Sequence, residues 1–430
     1  MNWKADWIHL PGQERDEAPA PGPYVRKAFV LESPPTKATA RVTALGLYEV
    51  WINGRRVGDV QMAPGWTDYR TRVPAQEYDV TGFLVPGENV IGVKLGDGWY
   101  CGKMFVYDRR FYGDHPEFLF QLSMETAGDT EQLLASDATW KATEGPLLYS
   151  DIYDGEAYDA RKELPGWNLP SFDDSAWKAV ATRPVGKKPL IELAEHEPVR
   201  VIEERSPLDI DEVEPGRWIF DLGQNMVGRA RIMVPGEEGR TITIRFAEML
   251  NRDGTLYTEN YRSAKSTDHY TCHGRGGFEQ WEPVFTFHGF RYVELSGLPR
   301  DVQPDESWVT GVVLHNDIEP TGSFTCSNPL LNQLQSNIVW GQKGNFLEVP
   351  TDCPQRNERL GWTGDAQVFC PTASFNFDVL AFFHKWMKDV RDAQKENGLV
   401  PLVVPDGFGE GESPAWGDAV AIVPWEVYLR

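Results

Sequence analysis

The stretch Thr351-Asp-Cys-Pro-Gln-Arg-Asn-Glu-Arg-Leu-Gly-Trp-Thr-Gly-Asp365 is the most informative part of the sequence. Its fifteen residues include three carboxylates, two arginines and one tryptophan, interrupted by one proline and two glycines. Glycines inside a helix cost about 1 kcal/mol each, and the apolar residues do not have the spacing of a core helix. A disordered linker would lack the tryptophan and the two signs of charge. The pattern therefore predicts an ordered loop in which acids, guanidinium groups and an indole converge.

This mixture of side chains is typical of carbohydrate chemistry. Two carboxyl groups cleave a glycosidic bond, one donating a proton to the leaving oxygen and the other activating water or attacking carbon. Carboxylates and arginines bind sugar hydroxyls, and an indole covers the apolar face of a sugar ring. The acid must keep its proton near neutral pH, so its pKa has to be raised. Burial and neighbouring carboxylates raise this pKa, whereas a close arginine lowers it. Arg356 and Arg359 therefore leave a second interpretation open, in which a salt-bridged loop simply packs on Trp362.

The stretch Asp352–Asp365 resembles the acidic motif of the bacterial α-L-rhamnosidases of glycoside hydrolase family 78. Six other stretches resemble further parts of that family in the same order. They are Leu45–Gly54, Asp97–Tyr100, Gly155–Arg161, Phe220–Asn225, Thr286–Tyr292 and Trp416–Ala419. The resemblance therefore covers nearly the whole chain.

The resemblance implies a role for each matching residue of the motif. Glu358 is expected to be the general acid of an inverting hydrolysis. The rhamnose subsite is expected to be shaped by Asp352, Arg359, Trp362, Asp365 and Trp416. The general base of the family is a second glutamate late in the catalytic domain, and no position of this chain matches it. No cofactor is implied; some family members are thought to bind sugar through calcium, but no residue here is assigned to a metal.

Strand signals dominate the first three quarters of the chain. Short apolar runs alternate and are broken by turns such as Asn53-Gly54, the strongest short-range signal of a hairpin. Strands at this spacing predict a sandwich or jelly roll. After a leading segment over residues 1–30, we therefore expect a galactose-binding-like β-sandwich over 31–198 and a second β-sandwich over 199–314.

Helical spacing begins after residue 315. Apolar residues at 330, 331, 334, 338 and 339 predict a helix capped by Ser327 or Asn328, with Pro329 in its first turn. Two more helices are predicted over 375–393 and 419–429. The resemblance implies that residues 315–430 begin an (α/α)6 toroid of six helical hairpins.

The length of this helical region limits what it can form. Twelve helices of about 11 residues with loops of about 5 need roughly 190 residues, so the toroid cannot close within 315–430. A half-toroid exposes apolar faces that soluble monomers avoid. We therefore expect a second polypeptide or another copy of the chain to complete the barrel, and weak or absent activity of this chain alone.

Composition narrows the function further. Lys and Arg total 42 against 64 Asp and Glu, a net charge of −22, which argues against nucleic-acid and membrane partners and favours neutral glycosides. The five scattered cysteines form no CxxC pair, which argues against a disulfide framework or a zinc site. The N-terminus lacks an apolar signal region and no run of eighteen apolar residues occurs, so a cytoplasmic location is expected.

The expected function is the removal of terminal α-L-rhamnose from a small glycoside, such as a rhamnosylated flavonoid or oligosaccharide. Two alternatives stay open. In the first alternative, the chain is a non-catalytic carbohydrate-binding protein with a secondary sugar site near Trp66 and Trp99, which lie at predicted loop ends. In the second, it is another exo-glycosidase on the same toroid, since the acidic motif alone does not determine which sugar is recognised.

Overall fold

The computed structural model describes residues 3–13, 19–126, 130–300, 302–407, 411 and 413–430. Residues 1–2 and 14–18 of the predicted leading segment therefore lie outside the described residues. The chain divides into two compact units. The first consists of Met1–Lys103, Arg109–Ile152 and Glu156–Ala194, and the second of Met104–Asp108, Tyr153–Gly155 and Glu195–Arg430.

The first unit is built mainly from strands. These elements are β1 (Asp6–His9), β2 (Pro23–Leu31), β3 (Lys37–Leu45), β4 (Leu47–Ile52), β5 (Arg55–Arg56), β6 (Arg72–Asp79), β7 (Gly87–Gly96), α1 (Gly98–Cys101), β8 (Glu117–Thr126), β9 (Thr130–Ala135), β10 (Lys141–Glu144), β11 (Leu147–Asp151), β12 (Gly155–Asp159), β13 (Lys178–Ala179), β14 (Ala181–Pro184) and β15 (Leu190–Leu193). Strand β12 is described with this unit, although its first residue, Gly155, belongs to the second. One sheet has the order β14-β1-β8-β3-β6-β15, with β9 beside β8, and the other has the order β13-β10-β2-β7-β4-β5. Strands β1 and β2, from the predicted leading segment, thus take part in these sheets.

A large hydrophobic core cluster joins the two sheets of this unit. Every second residue of β3 from Ala38 to Ala44 is fully buried in it, as the period of two in a strand requires. Strands of both sheets contribute to the core, which confirms the predicted β-sandwich. The predicted hairpin is confirmed as well, because Asn53 and Gly54 join β4 to β5 with positive φ angles of 52° and 78°.

The second unit begins with strands and ends with helices. Its elements are β16 (Val199–Arg205), β17 (Asp209–Glu214), β18 (Arg217–Pro235), β19 (Thr241–Ala247), β20 (Met249–Leu250), β21 (Leu256–Tyr257), β22 (Thr267–Thr271), β23 (Phe278–Trp281), β24 (His288–Ser296), β25 (Val309–Asn316), α2 (Pro329–Asn345), β26 (Phe346–Leu347), β27 (Val349–Pro350), α3 (Thr363–Asn376), α4 (Leu380–Ala393), α5 (Pro414–Gly417) and α6 (Ala419–Leu429). An antiparallel sheet runs β22-β19-β24-β18-β25-β16, and β17 and β23 also pair with β18. Strand β18 is therefore the strand around which this β-domain is organised.

Local signals located two of the helices well. Asn328 caps α2 by accepting a hydrogen bond from the backbone N–H of Leu330 at 2.9 Å, and Pro329 is the first helical residue, as predicted. Helix α6 has the predicted bounds and contains Pro424. The helix predicted over 375–393 begins later, at Leu380. Within the described residues, no helix has both the length and the apolarity needed to cross a bilayer.

The predicted loop over 351–365 is wrong at its end, because helix α3 begins at Thr363. The helix has Gly364 as its second residue and contains Pro371, so its sequence carries two helix-breaking signals. It packs against α5 and α6, and these tertiary contacts override the weak local propensity. The loop of the acidic motif therefore ends at Trp362, and Asp365 lies in the first turn of a helix.

Candidate active site

The acidic loop joins β27 to α3, and hydrogen bonds between Asp352 and Leu360 connect its two ends. The N–H of Asp352 donates to the carbonyl of Leu360 at 3.1 Å, and the N–H of Leu360 donates to the Asp352 carboxylate at 3.0 Å. On the far side, the N–H of Val404 donates to the Gly361 carbonyl at 2.9 Å. These bonds hold the residues between 352 and 360 as an ordered loop, as the sequence predicted.

The Glu358 carboxylate is the centre of this loop and is only 10% exposed. Its Oε2 accepts hydrogen bonds from Arg356 Nε at 2.8 Å and from Arg262 at 2.9 Å. Its Oε1 accepts from the indole Nε1 of Trp362 at 3.1 Å. The hydroxyl of Tyr153 donates to the backbone carbonyl of Glu358 at 2.7 Å. The structure thus brings together the predicted acid, the predicted indole and one arginine of the motif.

Asp352 is the second carboxylate of the cluster. Arg356 bridges the two carboxylates, because it also donates to Asp352 Oδ2 at 3.2 Å. Burial raises the pKa of Asp352, and the charge of Glu358 adds to that effect. Burial and the neighbouring Asp352 likewise raise the pKa of the Cys353 thiol to about 12, so it is protonated at neutral pH. Ligand atoms of Asp352, Cys353 and Glu358 lie within 4.8 Å of one another, but Arg356 already bonds both carboxylates there.

Arg359 is 2% exposed. Its guanidinium donates to the backbone carbonyls of Phe287 at 2.7 Å, Gln355 at 3.1 Å and Arg356 at 3.1 Å. Its own φ of 51° lies in the left-handed region, which a bulky residue adopts only when surrounding contacts hold it. These contacts fix the loop on the β-domain. The substrate contact expected for Arg359 stays a prediction.

Asp352, Asp365 and Trp416 line a pocket of about 610 Å³ between α2, α3 and α5. Asp365 is exposed, and Trp416 is 38% exposed. Gly364 allows Trp416 to approach, because a Cβ at that glycine would lie 2.5 Å from the indole. Much of the remaining lining is apolar and includes Phe346, Phe369 and Phe383. Three residues predicted for the rhamnose subsite therefore share one pocket.

Two residues that no sequence pattern predicted reach the loop from distant parts of the chain. Arg262 lies 96 residues before Glu358, and Tyr153 lies 205 residues before it. Arg262 follows a short 3₁₀ turn, Glu259–Tyr261, and has a φ of 56°, which the sequence around it does not announce. No local pattern links either residue to the acidic motif, so only the tertiary structure could find them.

Trp66 and Trp99, the residues of the predicted secondary sugar site, stack on each other in the first unit. Their ring centroids are 5.6 Å apart and their planes differ by 5°. They are only 1% and 4% exposed, so neither indole offers an open face to a sugar ring in this structure. Sugar binding near these residues stays a prediction.

Three domain families of bacterial α-L-rhamnosidases match the chain. The α-L-rhamnosidase N-terminal domain matches residues 33–203, the concanavalin-like domain matches residues 211–315, and the six-hairpin glycosidase domain matches residues 319–430. Together they cover both β-domains and the helical region. They confirm the predicted order of β-rich domains followed by part of a six-hairpin domain.

Individual relatives give the same result. The chain is 47% identical to an α-L-rhamnosidase of Formosa agariphila over 100% of this chain and 47% of the relative. The crystal structure of the Streptomyces avermitilis α-L-rhamnosidase complexed with L-rhamnose matches with a TM-score of 0.92 and 46% identity, covering 96% of this chain and 40% of that one. The native enzyme from Aspergillus terreus matches with a TM-score of 0.94 and 41% identity, covering 99% of this chain and 50% of that one. The chain therefore spans about half the length of the relatives it matches.

Proposed function

The chain belongs to the bacterial α-L-rhamnosidases of glycoside hydrolase family 78, and we propose on this premise that it carries the general acid of an enzyme that removes terminal α-L-rhamnose. The observation that carries the proposal is the buried Glu358 carboxylate. It is bonded to Trp362 and linked by Arg356 to Asp352, which lines a pocket with Asp365 and Trp416. A pocket lined by two carboxylates and an indole, one of whose carboxylates lies within 4.8 Å of the buried Glu358, fits a sugar that is cleaved at one end.

The separation of the two carboxylates supports different roles for them. Oxygen atoms of Asp352 and Glu358 lie within 4.8 Å of each other. An inverting acid and base are about 6.5–9.5 Å apart, because a water molecule must fit beside the sugar. Asp352 is therefore too close to serve as the base, and we assign it to binding a sugar hydroxyl. Glu358 protonates the glycosidic oxygen, and a base outside the motif activates the water.

Arg262 has to move before Glu358 can act as an acid. Two arginine N–H groups point at Glu358 Oε2, and a proton on that oxygen would face both of them. The Arg262 side chain is 52% exposed, whereas that of Arg356 is 29% exposed. Arg262 is thus the arginine that can leave toward solvent. Its departure frees Oε2 to carry the proton that the leaving group takes.

The apolar lining of the pocket supports a deoxy sugar as substrate. Rhamnose carries a methyl group where most hexoses carry a hydroxymethyl group. The rings of Phe346, Phe369, Phe383 and Trp416 give that methyl group and the ring C–H bonds apolar surface. The net charge of −22 favours neutral substrates over anionic ones.

A partner that completes the helical domain is also part of the proposal. Several large apolar side chains of α2, α3 and α6 are more than half exposed, namely Leu330, Val368, Phe375, Trp425 and Tyr428. Single exposed apolar residues need no explanation, but several large ones on neighbouring helices are typical of an interaction surface. It suits the helices that a longer six-hairpin domain would pack there, whichever polypeptide supplies them.

Calorimetric titration of the 430-residue chain with L-rhamnose tests the site. We expect binding by the native chain, a loss of at least tenfold in affinity for Asp352→Ala and Trp416→Ala, and no change for Trp99→Phe. Binding that survives the first two substitutions and disappears with changes at Trp66 or Trp99 would instead support a lectin-like module in the first unit.

Hydrolysis of aryl glycosides tests the chemistry. We expect weak or no hydrolysis of an aryl α-L-rhamnoside by this chain alone, and any hydrolysis that is measured should fall by about 10²–10⁴-fold in Glu358→Gln, the usual contribution of a general acid. The glutamine keeps the size of the side chain and removes the proton that is donated. Faster turnover of another glycoside in a panel would identify a different exo-glycosidase.

A further inference from the structure

A second pocket lies beside the first and is formed by the β-domain, helix α2 and the acidic loop. It has a volume of about 450 Å³ and shares Gly341, Asn345 and Asp352 with the apolar pocket. Its other polar residues include Arg356 from the acidic loop and Gln224, Asn225 and Glu248 from the β-domain. The two pockets therefore meet at Asp352, whose carboxylate lies next to Glu358.

A bulge in β18 delivers the residues of the β-domain to this pocket. Asp221 pairs with Tyr292 of β24, and Met226 pairs with Phe290, so β18 advances five residues while β24 advances two. The bulge is anchored at Asp221, which accepts two bonds from Arg291 at 2.7 and 2.6 Å. Gly223 follows with a φ of 72°, which favours glycine. Bulges often re-aim side chains beside functional sites, and here the extra residues include Gln224 and Asn225.

Glu248 is the acceptor at the centre of this wall. Asn225 donates to its Oε1 at 3.0 Å, and Asn260 donates to its Oε2 at 3.2 Å. Burial raises the pKa of Glu248. A carboxylate has about four acceptor positions, so the two amides leave capacity for further donors from the pocket side. Sugar hydroxyls are donors of this kind.

We propose that this second pocket is the leaving-group subsite and that it binds a neutral second sugar ring through Asn225 and Glu248. The inference rests on the proposed rhamnosidase function, because it needs the first pocket to hold rhamnose. A sugar ring offers hydroxyls to Glu248 and Asp352. An aromatic leaving group offers few and would desolvate these carboxylates without replacing their hydrogen bonds. A uronic acid would be repelled by the same two carboxylates.

Calorimetry with three ligands tests this assignment. The native chain is titrated with L-rhamnose, with phenyl α-L-rhamnoside and with an α-L-rhamnosyl-D-glucose disaccharide. We expect the disaccharide to bind about tenfold more tightly than either of the others. The advantage should disappear in Asn225→Ala, which changes an exposed side chain, and in the isosteric Glu248→Gln, while the affinity for rhamnose stays within about twofold. Glu306→Gln, an exposed glutamate of the same β-domain, is the matched control and should keep the advantage.

The outcomes separate the two proposals. Equal affinity for the disaccharide and phenyl α-L-rhamnoside would overturn the leaving-group subsite and leave the rhamnosidase proposal intact. A disaccharide advantage that persists in both Asn225→Ala and Glu248→Gln would also overturn it, because the second ring would then bind elsewhere. If the native chain binds neither rhamnose nor the disaccharide, the proposed function fails and this inference fails with it.

Discussion

The Arg109 cluster of the first unit and the Arg356 cluster of the acidic loop each join one arginine to two carboxylates. In the first unit, Arg109 bonds Asp97 and Asp151, and in the acidic loop Arg356 bonds Asp352 and Glu358. The Arg109 cluster is closed, because its three side chains are 9%, 9% and 1% exposed. The void beside it measures about 10 Å³, room for about one water molecule. The carboxylates of the Arg356 cluster are about as buried, at 8% and 10%, but Arg356 is 29% exposed and the cluster borders a pocket of about 450 Å³.

This difference shows what separates a structural ion cluster from a candidate active site. Residue types and charges are nearly the same in both, so they cannot make the distinction. When an ion cluster is buried on all sides, its charges are stabilised by each other. Removing one of them leaves the others buried without a partner. An adjoining cavity means that a ligand can replace water at the ions. The same substitution is therefore expected to cost mainly stability in the Arg109 cluster and both stability and affinity in the Arg356 cluster.

The largest effect is expected for Arg109→Met. The substitution leaves the Asp97 and Asp151 carboxylates buried without their cation, which costs about 3–5 kcal/mol of unfolding free energy. Urea unfolding followed by tryptophan fluorescence measures the loss, and the affinity for L-rhamnose should not change in the folded protein.

The control is Arg41→Met in the same unit. Arg41 pairs with Glu77 at 2.7 Å, and both side chains are more than one third exposed, at 37% and 38%. Exposed pairs contribute about 0–1 kcal/mol, so this variant should unfold almost as the native chain does. Equal losses for Arg41→Met and Arg109→Met would mean that burial does not distinguish the two ion pairs.

A smaller loss of stability is expected for Arg356→Met, the same change in the open cluster. Water in the pocket can solvate the remaining carboxylates, so the loss should be about 1–2 kcal/mol. The affinity for L-rhamnose should fall about tenfold, equivalent to about 1.4 kcal/mol, because Asp352 and Glu358 lose the group that positions them. A loss as large as that of Arg109→Met with unchanged affinity would favour the salt-bridged loop as the correct interpretation.

The sequence predicted most of the fold because the signals that decide it are local. The cap at Asn328, the hairpin at Asn53-Gly54 and the bounds of α6 depend on neighbouring residues and agree with the structure. Helix α3 contradicts its local signals, since Gly364 and Pro371 both disfavour a helix. Its formation depends on contacts with α5 and α6, which propensity does not contain.

The candidate site likewise contains some residues that the local sequence predicts and others that it does not. The motif placed Glu358 and Trp362 close together, and the structure joins them directly at 3.1 Å. Arg262 and Glu248 could not be predicted, because no local pattern links them to the motif. A 3₁₀ turn precedes Arg262, and a β-bulge presents Asn225, which bonds Glu248. Charge in a motif indicates chemistry, but the cavities and the distant strands decide which groups a ligand can reach.

The smallest effect concerns the thiol beside each cluster. Burial, reinforced by the neighbouring Asp97, raises the pKa of Cys101, and burial with Asp352 raises that of Cys353, so both react slowly with N-ethylmaleimide at pH 8. Cys353 lines the pocket of about 450 Å³, whereas Cys101 borders the small void of about 10 Å³. We therefore expect Cys353 to be modified a few-fold faster than Cys101, as measured by mass spectrometry of peptides during a time course. A rhamnosyl disaccharide should slow the modification of Cys353 alone, with the partly exposed Cys326 as the internal reference. Equal rates for Cys353 and Cys101, unaffected by sugar, would mean that the acidic loop is as closed as the Arg109 cluster.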